Sequence, residues 1–247
     1  VYELGGGLFT VGGVNDEING KPVPHAYNRT DIENSTYLKN MLPVNAEDYT
    51  PPIAVMIVID TSTSMKKNDK LNSAAEGAKT CLDALHDRDF CGVMSFASAS
   101  SERLAVLPVS QREAISEAII KVKNEDGAVG GGTMFSDAIM KAGRALSVIN
   151  NVERKHIILV TDGLPNDTYE DYSPYIADNV ADGITMSVVT IGLDSAANEA
   201  QMQRTADAGG GKFYNVADAK ALSSTMYKDL TQEATPEIAY GREFSLT

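Results

Sequence analysis

Residues 53–59 read Ile-Ala-Val-Met-Ile-Val-Ile, and residues 60–64 continue with Asp-Thr-Ser-Thr-Ser. An uninterrupted apolar run of this length, rich in β-branched residues, predicts a strand that is covered on both faces of a sheet. The carboxylate and the hydroxyls then fall on the loop at the carboxyl end of that strand. Because open α/β sheets bind ligands at this edge, the stretch predicts a ligand site beside a buried strand.

Strand-like apolar runs recur along the chain after this point. The predicted strands are residues 53–59, 90–96, 103–109, 156–160, 184–191 and 211–216. Only the strand 103–109 follows its predecessor by a link that is too short for a helix. It is therefore predicted to run antiparallel at the edge of the sheet, where Pro108 is tolerated.

Helical patterns fill the longer links between the strands. The predicted helices span residues 69–86, 111–123, 134–149, 172–182, 197–208 and 218–231. Ser110 and Glu113 have the spacing of a capping box and predict the start of the second helix. The alternation predicts an α/β fold with a doubly wound, mostly parallel sheet, one antiparallel edge strand and helices on both faces.

The first part of the chain differs from the rest in composition. Residues 1–50 are rich in glycine and polar residues, and the pair Pro51-Pro52 closes them. We therefore divide the chain into an N-terminal segment, 1–50, a domain, 51–235, and a tail, 236–247. The tail shows no clear period and is predicted to pack near the N-terminal segment, since domain termini are often close.

The composition limits the classes of function. The 247 residues carry a formal net charge of −13 at pH 7. This balance argues against non-specific nucleic-acid binding, which needs a basic surface, and is compatible with cations or simply with solubility. No apolar stretch approaches the roughly 18 residues of a membrane-spanning helix, so no membrane insertion of this fragment is predicted.

The chain has only two cysteines, Cys81 and Cys91. Two are too few for a disulfide framework or a zinc cluster. Cys91 lies in an apolar strand-like run, which favours a buried hydrophobic role. A bridge between the two cysteines stays an open alternative at this point.

Three loops at strand ends or helix starts carry oxygen donors. Besides residues 60–64, these are residues 130–133, Gly-Gly-Gly-Thr, and residues 161–163, Thr-Asp-Gly. In a parallel sheet all three loops share one edge. Small hard cations prefer such oxygens, and Mg²⁺, Mn²⁺ and Ca²⁺ all suit them. The predicted metal ligands are Asp60, Ser62, Ser64, Thr133 and Asp162.

An acidic stretch follows the third loop. Such a stretch widens the negative field around a cation, binds a second ion or, as this composition favours, forms a solvated helix face. Its members are Asp167, Glu170, Asp171 and Asp178.

The predicted ligand set resembles the metal-ion-dependent adhesion site (MIDAS) of von Willebrand factor type A (VWA) domains. The resemblance rests on Asp60-x-Ser62-x-Ser64, then Thr133, then Asp162 in Thr-Asp-Gly, and covers about residues 51–232. It implies a Rossmann-like fold that holds a divalent cation, usually Mg²⁺, directly or through water. Thr63 departs from the family, because many members have glycine at this position. The position is not one of the metal-ligand positions.

The resemblance implies a binding function. An open position on the metal accepts a Glu or Asp carboxylate from a partner protein, so the chain is predicted to be an adhesion or assembly module and not an enzyme. One alternative is a scaffold whose ion only stabilises the fold. Another is a metal-dependent hydrolase, although Ser62 stands where a phosphatase needs an acid. A glutamine amidotransferase is disfavoured, because neither cysteine has the flanking glycines of a nucleophile elbow.

The flanks carry a second resemblance. Residues 5–8, 11–13, 42–44 and 208–214 are similar to bacterial membrane proteins that join a VWA domain to a glutamine-amidotransferase-like domain. This implies that residues 1–50 and 236–247 are the remnant of the companion domain. It also implies a larger anchored parent protein, with this domain on the extracytoplasmic side of a bacterial membrane.

Overall fold

The computed structural model describes residues 17–18, 21–22, 52–124, 132–193, 195–217 and 221–232. The chain divides into two compact units, Val1–Thr50 and Pro51–Thr247. In the first unit, strands β1 (Glu17–Ile18) and β2 (Lys21–Pro22) pair antiparallel. The tail 236–247 lies outside the described residues, so its packing stays a prediction, as does the assignment of the flanks to a companion domain.

The second unit is built on a six-stranded sheet in the order β5-β4-β3-β6-β7-β8. All neighbouring strands pair parallel except β4 and β5, which pair antiparallel. The antiparallel edge strand is therefore confirmed. The strands are β3 (Ile53–Asp60), β4 (Phe90–Phe96), β5 (Ser100–Pro108), β6 (Arg154–Thr161), β7 (Ile184–Ile191) and β8 (Gly210–Val216).

Helices cover both faces of this sheet, which confirms the doubly wound α/β fold. Helices α1, α2 and α6 pack on one face, and helices α3, α4 and α5 pack on the other. No helix among the described residues has both the length and the apolar character needed to cross a bilayer. The helices are α1 (Lys70–Ala84), α2 (Arg112–Lys123), α3 (Phe135–Ser147), α4 (Tyr169–Ala181), α5 (Ala196–Ala208) and α6 (Leu222–Gln232).

Strand β3 explains why one apolar run determines this architecture. Val55, Ile57 and Ile59 point into the core under α1, α2 and α6, whereas the alternate residues Met56 and Val58 point into the core under the other three helices. All of them are fully buried. Since burying one Val or Ile side chain contributes about 1.5–3 kcal/mol, β3 stabilises both layers at once.

The predicted helix cap at Ser110 is wrong. Ser110 does not cap α2, because it lies inside a short 3-10 helix, Val109–Gln111, and its N–H donates to the carbonyl of Asp87 at 3.1 Å. The helix begins after Gln111 without a side-chain cap.

The capping box of this domain lies at α4. Asp171 accepts hydrogen bonds from the N–H and the hydroxyl of Thr168, both at 2.8 Å. This helix consequently begins at Tyr169, three residues before the predicted start.

The two cysteines are free and buried, so the bridge that the sequence left open does not form. Burial raises the pKa of the Cys91 thiol to about 12, and burial likewise raises the pKa of Cys81. Both residues therefore stay protonated and act as small core side chains.

Candidate metal centre

The candidate centre lies where the winding of the sheet reverses. From β3 the chain first builds β4 and β5 on one side, and it then returns to build β6, β7 and β8 on the other. The adjacent parallel strands β3 and β6 end at Asp60 and Thr161. The loops that follow these two strands consequently flank the switch point, and in α/β sheets of this kind the crevice at that point is where ligands bind.

Asp60 is the innermost donor of the crevice, and it is fully buried. Its Oδ1 accepts a hydrogen bond from the N–H of Ser62 at 2.7 Å, and its Oδ2 accepts one from the hydroxyl of Thr161 at 2.6 Å. Burial raises the pKa of Asp60, outweighing these two hydrogen bonds, and the charge of Asp162 raises it further. A positive charge in the crevice would therefore stabilise this carboxylate.

Hydroxyl groups connect the first loop to the third. Ser64 Oγ donates to Asp162 Oδ1 at 2.7 Å, and the Oγ atoms of Ser62 and Ser64 are 3.1 Å apart. Lys70 Nζ donates to the other oxygen of Asp162, Oδ2, at 2.8 Å. The Asp162 side chain is only 2% exposed, so this ion pair is shielded from water on the carboxylate side.

Thr133 is joined through its backbone to the segment that follows Asp162. Its N–H donates to Asn166 Oδ1 at 2.6 Å, and its carbonyl accepts a hydrogen bond from the N–H of Asn166 at 2.7 Å. The preceding Gly132 donates its N–H to Ser98 Oγ at 3.0 Å. The loop with Asp162 thus fixes the position of the loop with Thr133, although the two loops are far apart in sequence.

Asp167 has a structural role that its sequence context does not predict. Its carboxylate accepts the N–H groups of Phe135 at 3.0 Å and Ser136 at 2.7 Å, and the residue is buried. It therefore caps the first turn of α3 from another segment, and it is not part of a solvated helix face. The cap also fixes the start of the helix that directly follows the Thr133 loop.

The structure links four of the five predicted ligands by the contacts above and holds the fifth, Thr133, on the adjoining loop. Sequence reasoning missed the supporting residues. The Thr161 hydroxyl could have been inferred from its place before Asp162, but Lys70, Asn166 and Asp167 gave no such signal. Thr63 is absent from the non-glycine residues with positive φ among those described, so this position does not require glycine.

The donors fit a hard divalent cation. In the part of the chain that the structure describes, no three His, Cys, Asp or Glu side chains cluster closely enough to hold a metal ion. A cation at this edge would therefore depend on two carboxylates and neighbouring hydroxyls, a donor set that suits Mg²⁺ better than a softer metal.

Fold and crevice together define the class of protein: an α/β domain with an oxygen-rich crevice at its switch point. The chain carries a von Willebrand factor type A domain, whose family model matches residues 55–164. The match begins in β3 and ends after Asp162, and so includes every predicted ligand.

Curated relatives and solved structures agree with this assignment. A UPF0353 protein of Mycobacterium marinum is 26% identical over 210 residues, which cover 76% of this chain and 62% of the relative. This chain therefore spans less than two thirds of that relative's length. A von Willebrand factor type A structure from Catenulispora acidiphila matches with a TM-score of 0.66 and 24% identity, covering 77% of this chain and 44% of its own.

One solved structure is relevant to the crevice. Proximal thread matrix protein 1 from the mussel byssus, solved with a zinc-occupied MIDAS motif, matches with a TM-score of 0.60 and 15% identity, covering 76% of this chain and 50% of its own. At this identity the similarity establishes the shared fold alone.

Proposed function

We propose that this domain is a divalent-cation-dependent protein-binding module for adhesion or assembly. The observation that carries the proposal is the connection between two shielded carboxylates, Asp60 and Asp162, at the switch point. Asp60 accepts the N–H of Ser62, the Ser62 and Ser64 hydroxyls lie 3.1 Å apart, and the Ser64 hydroxyl donates to Asp162. The zinc-occupied MIDAS motif of the mussel protein supports cation binding by this fold.

Each donor has a distinct role in the proposal. The carboxylates supply the charge that attracts the cation, whereas the hydroxyls supply neutral oxygens that leave the ion with residual positive charge. A bound Mg²⁺, or alternatively Mn²⁺ or Ca²⁺, supplies an open coordination position for an acidic side chain of a partner. The proposed ligands are Asp60, Ser62, Ser64, Thr133 and Asp162.

No bond has to be made or broken for this function, and we propose that the domain is not an enzyme. Ser62 occupies the position where a phosphatase would need a second acid. Its N–H donates to Asp60 Oδ1, and its Oγ lies 3.1 Å from Ser64 Oγ. Turnover of a generic phosphatase substrate that is lost in Asp60→Ala would overturn this part of the proposal.

The parent protein is also a matter of proposal. The resemblance of the flanks supports a larger anchored bacterial protein that carries this domain on the extracytoplasmic side of the membrane. There the metal would face partner proteins that present a Glu or Asp side chain.

The decisive experiment separates binding from stability. The wild-type chain is used to capture partners from an extract of the source organism in Mg²⁺ or in EDTA, beside Asp162→Ala and the control Asp178→Ala, which removes an exposed carboxylate on α4. We expect capture that is lost in EDTA and in Asp162→Ala, while circular dichroism shows an intact fold. If the metal raises the melting temperature but capture is equal in EDTA, the domain is a scaffold with a structural ion.

A further inference from the structure

Lys70 lies beside the candidate metal centre. It carries a positive charge and is not one of the proposed metal ligands. Its Nζ lies 2.8 Å from Asp162 Oδ2, and the two side chains are 20% and 2% exposed. We propose that Lys70 determines the specificity of the site for anionic ligands, by weakening the cation's hold and leaving the loaded site positively charged. This inference rests on the proposed function.

The backbone shows that Lys70 is placed there at a cost. It is the first residue of α1, and no acidic residue lies in the first turn of that helix. A lysine at a helix N-terminus is disfavoured by the helix dipole. The two residues before it, Asn68 and Asp69, both have positive φ, 54° and 62°, and these residue types adopt this region more readily than other non-glycine residues. The ion pair with Asp162, and not a preference of the helix, therefore accounts for the position of the Lys70 charge.

The charges of the crevice explain what Lys70 would do. When a cation holds both carboxylates in their ionised form, Asp60 and Asp162 contribute two negative charges, and Lys70 reduces their sum to a single negative charge. A divalent cation then leaves a net single positive charge, which one carboxylate from a partner neutralises. Without Lys70 the cation alone would neutralise the site, and an acidic ligand would add an unbalanced negative charge.

The same contact predicts competition between Lys70 and the metal. Lys70 and a cation both draw on the carboxylate of Asp162, so the lysine lowers the electrostatic gain from metal binding. Removal of the lysine charge should therefore change two affinities in opposite directions. We expect Mg²⁺ to bind roughly tenfold more tightly and an acidic ligand of the loaded site to bind roughly tenfold more weakly.

The test compares Lys70→Gln with the wild-type chain. Mg²⁺ affinity is measured by isothermal titration calorimetry. The affinity of the Mg²⁺-loaded protein is then measured by NMR titration with the peptide acetyl-Gly-Glu-Gly-amide and its Gln counterpart. Lys70→Arg keeps the charge and should behave like the wild type. Lys79→Gln removes an exposed charge from the same helix and should leave both affinities unchanged.

The possible results separate this inference from the proposed function. The role of Lys70 is supported if Lys70→Gln binds Mg²⁺ more tightly and the Glu peptide more weakly, and no longer prefers the Glu peptide to the Gln peptide. If the wild type binds Mg²⁺ and the Glu peptide but Lys70→Gln leaves both affinities unchanged, or lowers both, the inference is overturned while the proposed function stands. If neither protein binds Mg²⁺ at millimolar concentration, the proposed function fails and the inference fails with it.

Discussion

Asp229 and Asp60 are both fully buried, but their surroundings differ. Asp229 on α6 is 3.0 Å from His156 Nε2 through Oδ2 and accepts the hydroxyl of Ser187 at 2.8 Å through Oδ1. Asp60 at the candidate metal centre accepts hydrogen bonds from the N–H of Ser62 and from the hydroxyl of Thr161. Neither of these two partners is a basic side chain. The first carboxylate joins a helix to the sheet, and the second lies under an open crevice.

The pKa values of the two groups shift in opposite directions. Burial alone would raise the pKa of Asp229, but the hydrogen bond and charge of His156, with the hydrogen bond from Ser187, outweigh burial and leave the pKa below its ordinary value. For Asp60 burial prevails. A carboxylate whose partners stabilise its charge serves the fold, whereas one that still needs positive charge is suited to bind a cation.

The largest effect should come from breaking the Asp229 network. Asp229→Ala removes the shared buried acceptor of His156 and Ser187, and we expect the free energy of unfolding to fall by about 3–5 kcal/mol. Urea unfolding in EDTA, followed by circular dichroism, measures the loss. The exposed control Asp178→Ala should stay within about 0.5 kcal/mol of the wild type. A loss below about 1 kcal/mol for Asp229→Ala would contradict a structural role for this network.

A smaller loss of stability is expected when the cap of α3, next to the candidate metal centre, is removed. Asp167→Ala leaves the N–H groups of Phe135 and Ser136 without their cap, which should cost about 1–2 kcal/mol. Because α3 begins directly after the Thr133 loop, Mg²⁺ affinity should fall as well. Urea unfolding and calorimetry on the same protein test both effects. Unchanged Mg²⁺ affinity beside a clear loss of stability would show that the cap does not position Thr133.

Acid should remove the stability that the charge of Asp229 contributes. His156 from β6, Ser187 from β7 and Tyr214 from β8 all lower the pKa of Asp229 below its ordinary 3.8. The stability that this carboxylate contributes is therefore complete above pH 3.8 and is lost as the pH falls through the lower folded-state value. Unfolding in EDTA at a series of acidic pH values should show a steeper decline for the wild type than for Asp229→Asn. Parallel curves for the two proteins would refute this account.

The smallest change in the metal-free fold is expected for Asp60→Asn. The substitution keeps the shape of the side chain and removes a buried charge, so stability in EDTA should stay within about 1 kcal/mol of the wild type or rise. Mg²⁺ binding by calorimetry should be lost. A large loss of stability in EDTA would mean that Asp60 resembles Asp229 after all, and the contrast between the two networks would disappear.

The sequence predicted the fold because local patterns determine it. The run in β3 is buried on both faces, and the short link before β5 permits only an antiparallel edge strand. The oxygen donors were also predictable, since they directly follow strands or precede a helix. These features depend only on residues that are close together along the chain, so the sequence alone is enough to predict them.

The supporting contacts were not predictable for the opposite reason. Asp167 caps a helix that begins 32 residues earlier, and Lys70 reaches a carboxylate 92 residues away. Asn68 and Asp69 turn the chain before Lys70 by positive φ angles that their residue types permit but do not require. The wrong cap at Ser110 has a similar cause. The carbonyl of Asp87, which is far from Ser110 in the sequence, accepts a hydrogen bond from the Ser110 N–H.

The parallel pairing of β3 has a mechanical consequence. The chain enters this strand at Ile53, and the candidate centre lies at its other end, beyond Asp60. A pull between a partner bound as proposed at this centre and the chain before Ile53 would therefore run along the strand axis. Seven residue pairs join β3 to β4 and seven join it to β6, so the backbone hydrogen bonds on both sides are loaded in shear and share the force. Under the proposed function, tension would therefore be carried along the strand that precedes the first candidate ligand loop.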